Sequence, residues 1–315
     1  MTASGVRASA IHHVTAISGP AARNRRFYEG VLGLRLVKKT VNFDDPGTYH
    51  LYYGDELGRP GSILTFFPWD HAGPGRVGIG ETSRTSFRVP RASIGWWTQA
   101  LVSAGVPHDS PVVRFGETTL AFKDPDGLAL ALVGVDGAEG EPGWDSASVP
   151  AEHAIRGFHG VTLLLADGAA TGAVLTDVFG QTEVGREGSV IRYEAPGEAY
   201  GRFVDLHVAG GFLAGRQGAG GVHHIAFRAA DDAAQAAMAR KLAADHRIAV
   251  TEQKDRNYFR SVYFREPGGV LFEIATDAPG FAVDEPVATL GQALKLPPQL
   301  EGLRSRIEER LPPLD

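Results

Sequence analysis

The fold is decided by two related stretches, IHHVTAIS at residues 11–18 and VHHIAFRA at residues 222–229. Each is followed by a segment of helical character, at residues 21–37 and 231–246 respectively. After each helix come strand-like residues, then a Pro-Gly turn and a last apolar strand, SILTFF in the first copy and GVLFEIAT in the second. The same order of parts near both ends of the chain indicates a duplicated supersecondary unit.

Two weaker copies of this unit lie between them. One runs from SFRVP through a helical segment to DPDGLALALVGV, and the other runs from FHGVTLLL to GRFVDLHVAG. The chain therefore contains four units, which start near Ala10, Arg84, Gly157 and Gly221. Their β-rich strands and amphipathic helices predict an α+β protein of four βαβββ modules. We expect these modules to form two domains with curled mixed sheets around a metal cavity.

The segments between and after the modules predict the domain boundaries. Residues 136–154 are rich in Gly, Pro, Ser and acidic side chains, which is typical of a linker. We therefore expect an N-terminal domain at residues 1–140 and a C-terminal domain at residues 155–280, each with two modules. Residues 281–315 lie outside the repeat and are predicted to form a helical extension over a sheet or domain edge. Within it, residues 299–311 have the pattern of a helix that two prolines end.

Composition excludes several classes of protein. The 315 residues carry a formal net charge of -6, which argues against a nucleic-acid partner because phosphate backbones are held by clustered cations. No apolar run reaches membrane-helix length, and the first residues lack the apolar stretch of a secretory signal. The absence of cysteine excludes disulfides and thiolate ligands. We expect a cytoplasmic protein without membrane contact, compatible with a homo-oligomer, whose metal ligands can only be His, Asp or Glu.

Alignment of the four units brings a small set of polar residues to equivalent positions. In the fourth unit His224 lies on the first strand and Glu273 on the last. In the first unit the aligned residues are His13 and Phe66. The same two positions carry no histidine in the second and third units, where they are occupied by Arg84 and Ala131, and by Gly160 and Asp205. Only the first and fourth units can therefore build a site that contains histidine.

His13, His224 and Glu273 are the predicted metal ligands. A single histidine on a strand is more often a packed residue than a ligand, but an unpaired carboxylate in the apolar string LFEIA would be costly. Three polar groups at related positions favour a metal. Two histidines and one carboxylate leave coordination positions open, the pattern of non-heme Fe(II) oxygenases. Phe66 blocks a fourth ligand and is an expected wall of the cavity, in contact with substrate.

The sequence resembles the vicinal oxygen chelate (glyoxalase-like) superfamily. The strings VKKTVNFDDPGTYHLYYGD, GVHHIAFRA and DRNYFRSVYFREPGGVLFEIATD are similar to those of dioxygenases that open the ring of hydroquinones. The resemblance covers nearly the whole chain. It implies a ring-cleaving dioxygenase with an aromatic para-diol and O2 as substrates. It also implies Fe2+, with Mn2+ in some members, bound by one histidine of the first unit and a histidine and glutamate of the fourth.

The resemblance further implies roles for residues around the metal. His12, His223, Arg256 and Tyr263 are the candidate catalytic residues, and Thr15 is a candidate substrate contact. Strand alternation also places Thr15 on the same face as His13, two positions earlier. Tyr52 is the counterpart of Tyr263 in the first unit, so two phenols are expected to line one cavity.

The histidines that precede the ligands pose a question of orientation. Strand alternation turns His12 and His223 away from the metal. They would then fix the ligand strands, or act as acid and base on the substrate if the strand ends twist. The remaining candidates are assigned no role in catalysis: His50, His153, His159 and His207 as structural residues, and His108 as a loop residue.

Three other functions remain open at this point. A catechol-cleaving enzyme would keep the metal but take its ligands from the third and fourth units. A glyoxalase-type isomerase or lyase would use the metal without O2, and such sites usually have a fourth protein ligand. A metal-free binding or resistance protein of the same fold would lack the three ligands altogether.

Overall fold

A computed structural model of the chain describes residues 9–314. Each of the four modules has the predicted order of one strand, one helix and three strands. The first comprises β1 (Ile11–Ser18), α1 (Ala21–Gly30), β2 (Arg35–Asn42), β3 (Asp45–Gly54) and β4 (Ile63–Pro68). The second comprises β5 (Glu81–Pro90), α2 (Ile94–Ser103), β6 (Val112–Arg114), β7 (Glu117–Lys123) and β8 (Ala129–Val135). The third comprises β9 (Phe158–Leu165), α3 (Ala169–Asp177), β10 (Thr182–Glu187), β11 (Val190–Glu194) and β12 (Phe203–Val208). The fourth comprises β13 (Gly221–Ala229), α4 (Asp232–Asp245), β14 (Lys254–Asp255), β15 (Arg260–Arg265) and β16 (Leu271–Thr276).

The modules assemble into two mixed sheets of eight strands. One sheet has the order β2-β3-β4-β1-β13-β16-β15-β14, and the other has the order β6-β7-β8-β5-β9-β12-β11-β10. Within each sheet two modules meet through antiparallel first strands, β1 with β13 and β5 with β9. The expected α+β architecture of four modules and two curled sheets is thereby confirmed.

The sheets join modules across the two halves of the chain. The first module shares a sheet with the fourth, and the second shares a sheet with the third. The expected division into residues 1–140 and 155–280 therefore does not coincide with the division into sheets, and whether the halves are separate domains stays a prediction. Hydrogen bonding between first strands accounts for the difference, because each first strand has a free edge that only the partner module covers.

Apolar faces of the helices and sheets form a main core, and two smaller clusters of buried residues lie apart from it. The main core spans both sheets. Its buried side chains include Tyr28 of α1, Trp97 of α2, Val174 of α3 and Leu242 of α4, together with residues of both sheets. Helix α1 ends at Gly30, earlier than the predicted 37, because the chain turns into β2 through a glycine of positive φ. No helix among the described residues is long and apolar enough to span a membrane.

The residues after the fourth module lie along the edge strand β2. Lys295 N donates a hydrogen bond of 2.9 Å to Lys39 O, which continues the ladder on that edge. The single helix predicted over 299–311 is wrong: two short helices, α5 (Pro298–Glu301) and α6 (Arg304–Glu308), stand in its place. Gly302 follows the first of them and favours the break, since glycine is a poor helix former.

A buried ion cluster fixes this extension to the sheet. Lys38 of β2 is fully buried, and its Nζ lies 2.6 Å from Asp284 Oδ1 and 2.6 Å from Glu285 Oε2. Tyr258 OH donates a further hydrogen bond of 3.0 Å to Asp284 Oδ2. A buried cation between two carboxylates stabilises the fold only while all three charges are present.

We predict that Lys38→Met lowers the free energy of unfolding by about 3–5 kcal/mol, because it leaves buried carboxylates without their cation. Urea unfolding followed by circular dichroism measures the loss. Lys123→Met, at an exposed lysine of β7, is the control and should change stability by no more than about 0.5 kcal/mol. Equal effects of the two substitutions would show that the ion cluster does not hold the extension.

Candidate metal centre

Three side chains meet where the first and fourth modules join. His13 lies on β1, His224 on the neighbouring β13, and Glu273 on β16. All three are buried, and one ligand atom of each lies within 4.8 Å of the other two. Glu273 Oε2 is 3.3 Å from His13 Nε2 and 2.9 Å from His224 Nε2. Within residues 9–314 no second group of three such ligands comes together.

The surroundings of Glu273 fit a divalent metal ion. Although burial raises its pKa, the facing imidazoles of His13 and His224 hold the pKa of Glu273 well below its usual range. Ser261 Oγ donates a hydrogen bond to Oε1 of this carboxylate. Its Oε2, which faces both imidazoles, is buried and has no partner in hydrogen-bond geometry. An ionised oxygen left without a donor beside two imidazole nitrogens is the set of atoms that a metal such as Fe(II) or Mn(II) would bind.

Two β-bulges shape the join between β1 and β13. The register of the antiparallel pair shifts by one residue at each His-His pair, and His12 and His223 are the residues left without a cross-strand partner. A bulge leaves its extra residue unpaired and re-aims the side chain. Strict alternation would turn His12 and His223 away from the ligands, and the bulges instead bring each of them beside the ligand that follows it.

Each bulged histidine contacts the ligand that follows it. His12 Nδ1 lies 3.0 Å from His13 Nδ1, and His223 Nδ1 lies 2.8 Å from His224 Nδ1. Since the Nε2 atoms of the two ligands face the glutamate, these contacts hold the opposite side of each ligand ring and fix its orientation.

The two bulged histidines differ in their access to the cavity. His223 lines it, whereas His12 is nearly inaccessible and packs at 5.3 Å against Phe259. Burial, aided by the neighbouring imidazole in each case, lowers the pKa of His12 well below its usual value and lowers the pKa of His223 to about 3.

A cavity of about 370 Å³ opens beside the three ligands. Its walls include the aromatic side chains of Phe43, Phe67, Trp69 and Phe259. This volume and these flat apolar walls are suited to a single aromatic ring, with a few polar groups to orient it.

Phe66 does not line this cavity. Its side chain is on the opposite face of β4, where it packs against Tyr28 with ring centroids 4.5 Å apart. In the parallel pair of β1 and β4, Thr15 is opposite Thr65, just as Ala226 is opposite Glu273 in the fourth module. Thr65 is therefore the true counterpart of the glutamate, and the expectations for Phe66 are wrong. The Pro-Gly turn is one residue shorter in the first module, and a slip of one residue reverses the face.

A hydrogen-bonded group of residues occupies the first-module side of the cavity. Thr65 Oγ1 donates a 2.9 Å hydrogen bond to Thr15 Oγ1 and lies 2.8 Å from His50 Nε2. His50 Nδ1 lies 2.9 Å from Tyr52 OH. Thr15, predicted as a substrate contact, is fully buried and does not line the cavity. Tyr52 lines the cavity, as does His50, to which the sequence assigned only a structural role. Its spacing of two from Tyr52 on one strand is the signal that could have revealed it.

Arg256 and Tyr263 form the polar wall on the fourth-module side. Arg256 Nε donates a hydrogen bond of 3.2 Å to Tyr263 OH, and Arg256 Nη2 lies 3.1 Å from Asp44 Oδ2 at the rim. Burial raises the pKa of Tyr263, so its phenol is protonated. The Tyr263 ring stands edge-on to His224 at 5.7 Å between centroids. The phenol and the guanidinium therefore both lie beside the predicted metal position.

The other histidines of the sequence analysis lie away from the three ligands. His153 contacts Ser93 Oγ at 3.0 Å, and His159 contacts Glu117 Oε2 at 2.9 Å. His108 contacts the neighbouring carbonyl of Asp109. His159 and His207 line a cavity of the other sheet.

Comparison with known proteins identifies relatives of the whole chain. The chain is 48% identical to a candidate ring-cleaving dioxygenase of Bacillus subtilis, MhqO, over 97% of this chain and 96% of that protein. It is 36% identical to the chlorohydroquinone/hydroquinone 1,2-dioxygenase of Sphingobium indicum, over 96% of this chain and 95% of that protein. The crystal structure of a candidate dioxygenase of Bacillus subtilis superposes with a TM-score of 0.93 at 47% identity, over 99% of both chains.

A family model agrees with these relatives. The model described as Glyoxalase/Bleomycin resistance protein/Dioxygenase superfamily matches residues 10–132, which include the first predicted ligand. The resemblance stated from the sequence is confirmed. The chain belongs to the Glyoxalase/Bleomycin resistance protein/Dioxygenase superfamily and, within it, to the ring-cleaving dioxygenases.

Proposed function

We propose that this enzyme is a non-heme Fe(II) dioxygenase that opens the ring of a hydroquinone-type para-diol with O2. The observation that carries the proposal is the meeting of His13, His224 and Glu273 on one side of an aromatic-walled cavity. Two imidazoles and one carboxylate leave the cavity side of a bound metal open for substrate and oxygen. The same donors can bind Mn(II), which is the alternative metal at this site.

The para-diol assignment is supported by a relative and by the cavity. The relative with 36% identity is named for chlorohydroquinone and hydroquinone. The cavity of about 370 Å³ has room for one substituted ring between Phe67, Trp69 and Phe259. Location in the cytoplasm and assembly into a homo-oligomer stay predictions.

The bound metal would supply a Lewis acid that lowers the pKa of a diol hydroxyl and an electron relay between ring and O2. The protein residues position the ring and handle its protons. Tyr263 OH, which accepts a hydrogen bond from Arg256, directs its own hydrogen toward a substrate oxygen. The guanidinium of Arg256 balances the negative charge of a phenolate and of the carboxylate product. His223 is the imidazole at the cavity wall to which we assign proton exchange with the substrate.

The residue at one position argues against an oxygen-independent isomerase. Thr65 stands where a fourth ligand would lie, and its hydroxyl is engaged by Thr15 and His50. The side chain at this position is therefore a satisfied alcohol and not a carboxylate.

The first prediction from the proposed function concerns the reaction. Protein reconstituted with Fe(II) without air should consume one O2 per molecule of hydroquinone, methylhydroquinone or chlorohydroquinone, and His13→Ala should abolish this uptake because it removes a ligand. An oxygen electrode and ultraviolet product spectra provide the measurement. His153→Ala, at a histidine far from the site, is the control and should retain activity.

Other outcomes of this experiment separate the alternatives. Uptake with catechol alone would overturn the para-diol assignment but leave the metal centre. No uptake with any diol in iron-loaded protein would favour the isomerase or lyase. Failure of the wild-type protein to retain any divalent metal would favour a metal-free binding protein.

The second prediction concerns the metal. Ser261→Ala should weaken metal binding about 10–100-fold, because the serine hydroxyl orients the carboxylate of Glu273. Competition with a chelator, followed by metal analysis, measures the affinity. Ser18→Ala removes another buried serine hydroxyl of the same sheet and should leave metal binding unchanged. Equal affinities in all three proteins would contradict the orienting role.

The third prediction compares the two phenols of the cavity. Tyr263→Phe should lower kcat/KM about 100-fold with unchanged metal content, since it removes a donor to the substrate oxygen. Tyr52→Phe should have a smaller effect, because the Tyr52 hydroxyl is engaged by His50. Steady-state oxygen uptake with the preferred diol measures both. If Tyr52→Phe proves the more damaging, the two roles are reversed.

A further inference from the structure

The second sheet also surrounds a cavity, which lies outside the metal centre. Its volume is about 390 Å³, close to that of the metal-side cavity. The join between β5 and β9 repeats the pair of register shifts seen between β1 and β13, here at Ser83 and His159. The second and third modules therefore build the same frame around a different set of side chains.

The residues at the metal-ligand positions of this frame cannot bind a metal. Gly160 stands where the fourth module has His224, and a Cβ there would lie 2.3 Å from Phe203 O, so no side chain fits. Asp205 stands where the fourth module has Glu273, and both of its oxygens are bound by Arg192, at 2.8 and 2.9 Å. The carboxylate is thus neutralised within the protein.

Arg84 occupies the remaining position, the counterpart of His13, and lines the cavity. Within residues 9–314 the half-buried side chain of Arg84 makes no hydrogen bond and no ion pair within 4.0 Å. Burial, followed by the charge of Arg114, lowers the pKa of Arg84, and the charges of Asp109 and Asp205 oppose this shift only in part. A half-buried guanidinium without an ion-pair partner is stabilised when an anion binds to it.

The other cations of the cavity already have partners. Arg192 is bound by Asp205 and also lies 3.1 Å from Glu117, and Arg114 lies 3.1 Å from Glu187. Arg84 is therefore the one lining cation, among the described residues, that lacks an ion pair. A monoanion matches this single charge, whereas the carboxylate of Asp109, which also lines the cavity, would repel a dianion more strongly.

An aromatic side chain in a strained turn shapes the mouth of the cavity. Phe115 lies at the tip of the hairpin between β6 and β7 with φ of +48°, a conformation unfavourable for a bulky residue. Its ring stacks on the guanidinium of Arg192 at 4.0 Å. The same guanidinium lies 4.7 Å from the ring centroid of Phe203, so the three side chains form one stack. The edges of this stack and Val133 line the cavity that also contains Arg84.

We propose that this cavity is a binding site for a small planar monocarboxylate, whose carboxylate pairs with the guanidinium of Arg84 and whose body lies in the cavity beside the stack of Phe115, Arg192 and Phe203. The planar guanidinium fork matches a carboxylate in two parallel hydrogen bonds. The proposal does not depend on the reaction at the metal centre, because the two cavities belong to different sheets.

Benzoate is the probe that tests the site, titrated into metal-loaded protein by isothermal calorimetry. We expect saturable binding of one benzoate, weakened at least about tenfold by Arg84→Gln. Arg84→Lys keeps the charge without the fork and should weaken binding less, and it serves in place of Arg84→Gln if that variant does not fold. Arg91→Gln, at an exposed arginine of the same module paired with Asp136, is the matched control and should bind as the wild type does.

Three further titrations test which ligand chemistry the site prefers and whether benzoate binds at this cavity or at the metal. Benzamide, which has the shape but not the charge, should not bind, and inorganic phosphate should bind more weakly than benzoate. His13→Ala should bind benzoate as the wild type does, which excludes coordination to the metal. The proposal is overturned by absence of saturable binding at millimolar benzoate, by equal binding to Arg84→Gln, by tighter binding of phosphate or benzamide, or by loss of binding in His13→Ala.

Discussion

The antiparallel pairing of β1 with β13 is the constraint on which the metal centre depends. It joins strands from the two ends of the chain and places His13 beside His224. The parallel pairing of β13 with β16 then brings Glu273 to the same face. Neither half of the chain contains the three ligands, so the centre forms only when the last module docks on the first. The pairing of β1 with β13 satisfies the backbone hydrogen-bond groups on the edges of both strands, and these hydrogen bonds hold the two modules together.

Bulges turn this pairing into a pair of oriented ligands. In a regular ladder, adjacent residues such as His12 and His13 would point to opposite faces. The shift in register lets each bulged imidazole hold the Nδ1 side of the following one, and both Nε2 atoms are left facing the carboxylate. The register of the two strands thus determines the orientation of both imidazole rings. The orientation of the third ligand, Glu273, is determined by its hydrogen bond from Ser261. A metal would meet three atoms already placed by the fold.

The sequence predicted the four modules, because repeats and strand periodicity can be recognised from residue patterns. It also predicted the three residues that meet at the candidate metal centre, but none of the aromatic walls Phe43, Phe67, Trp69 and Phe259. It failed where the result depends on register between distant strands. The orientation of His12 and His223 stayed open in the sequence because these strings contain no residue that marks a bulge. Phe66 was misplaced because one turn is a residue shorter, and such a slip reverses the face. The pairing of the first module with the fourth follows from which strand edges meet, and the division of the chain into halves gives no sign of it.

Duplication of the frame explains how one fold holds two different cavities. Both sheets contain the same pair of bulges and enclose similar volumes. A metal needs all three donors, so the loss of one donor position is enough to exclude metal binding. In the second sheet this position is Gly160, where Phe203 O leaves no room for a side chain. Once one ligand position is empty, the half-buried carboxylate of Asp205 at another position needs a new partner, and Arg192 supplies it. Among residues 9–314, the arginine at the third position then has no ion-pair partner within 4.0 Å, which leaves the second cavity with an unpaired cation on the same frame.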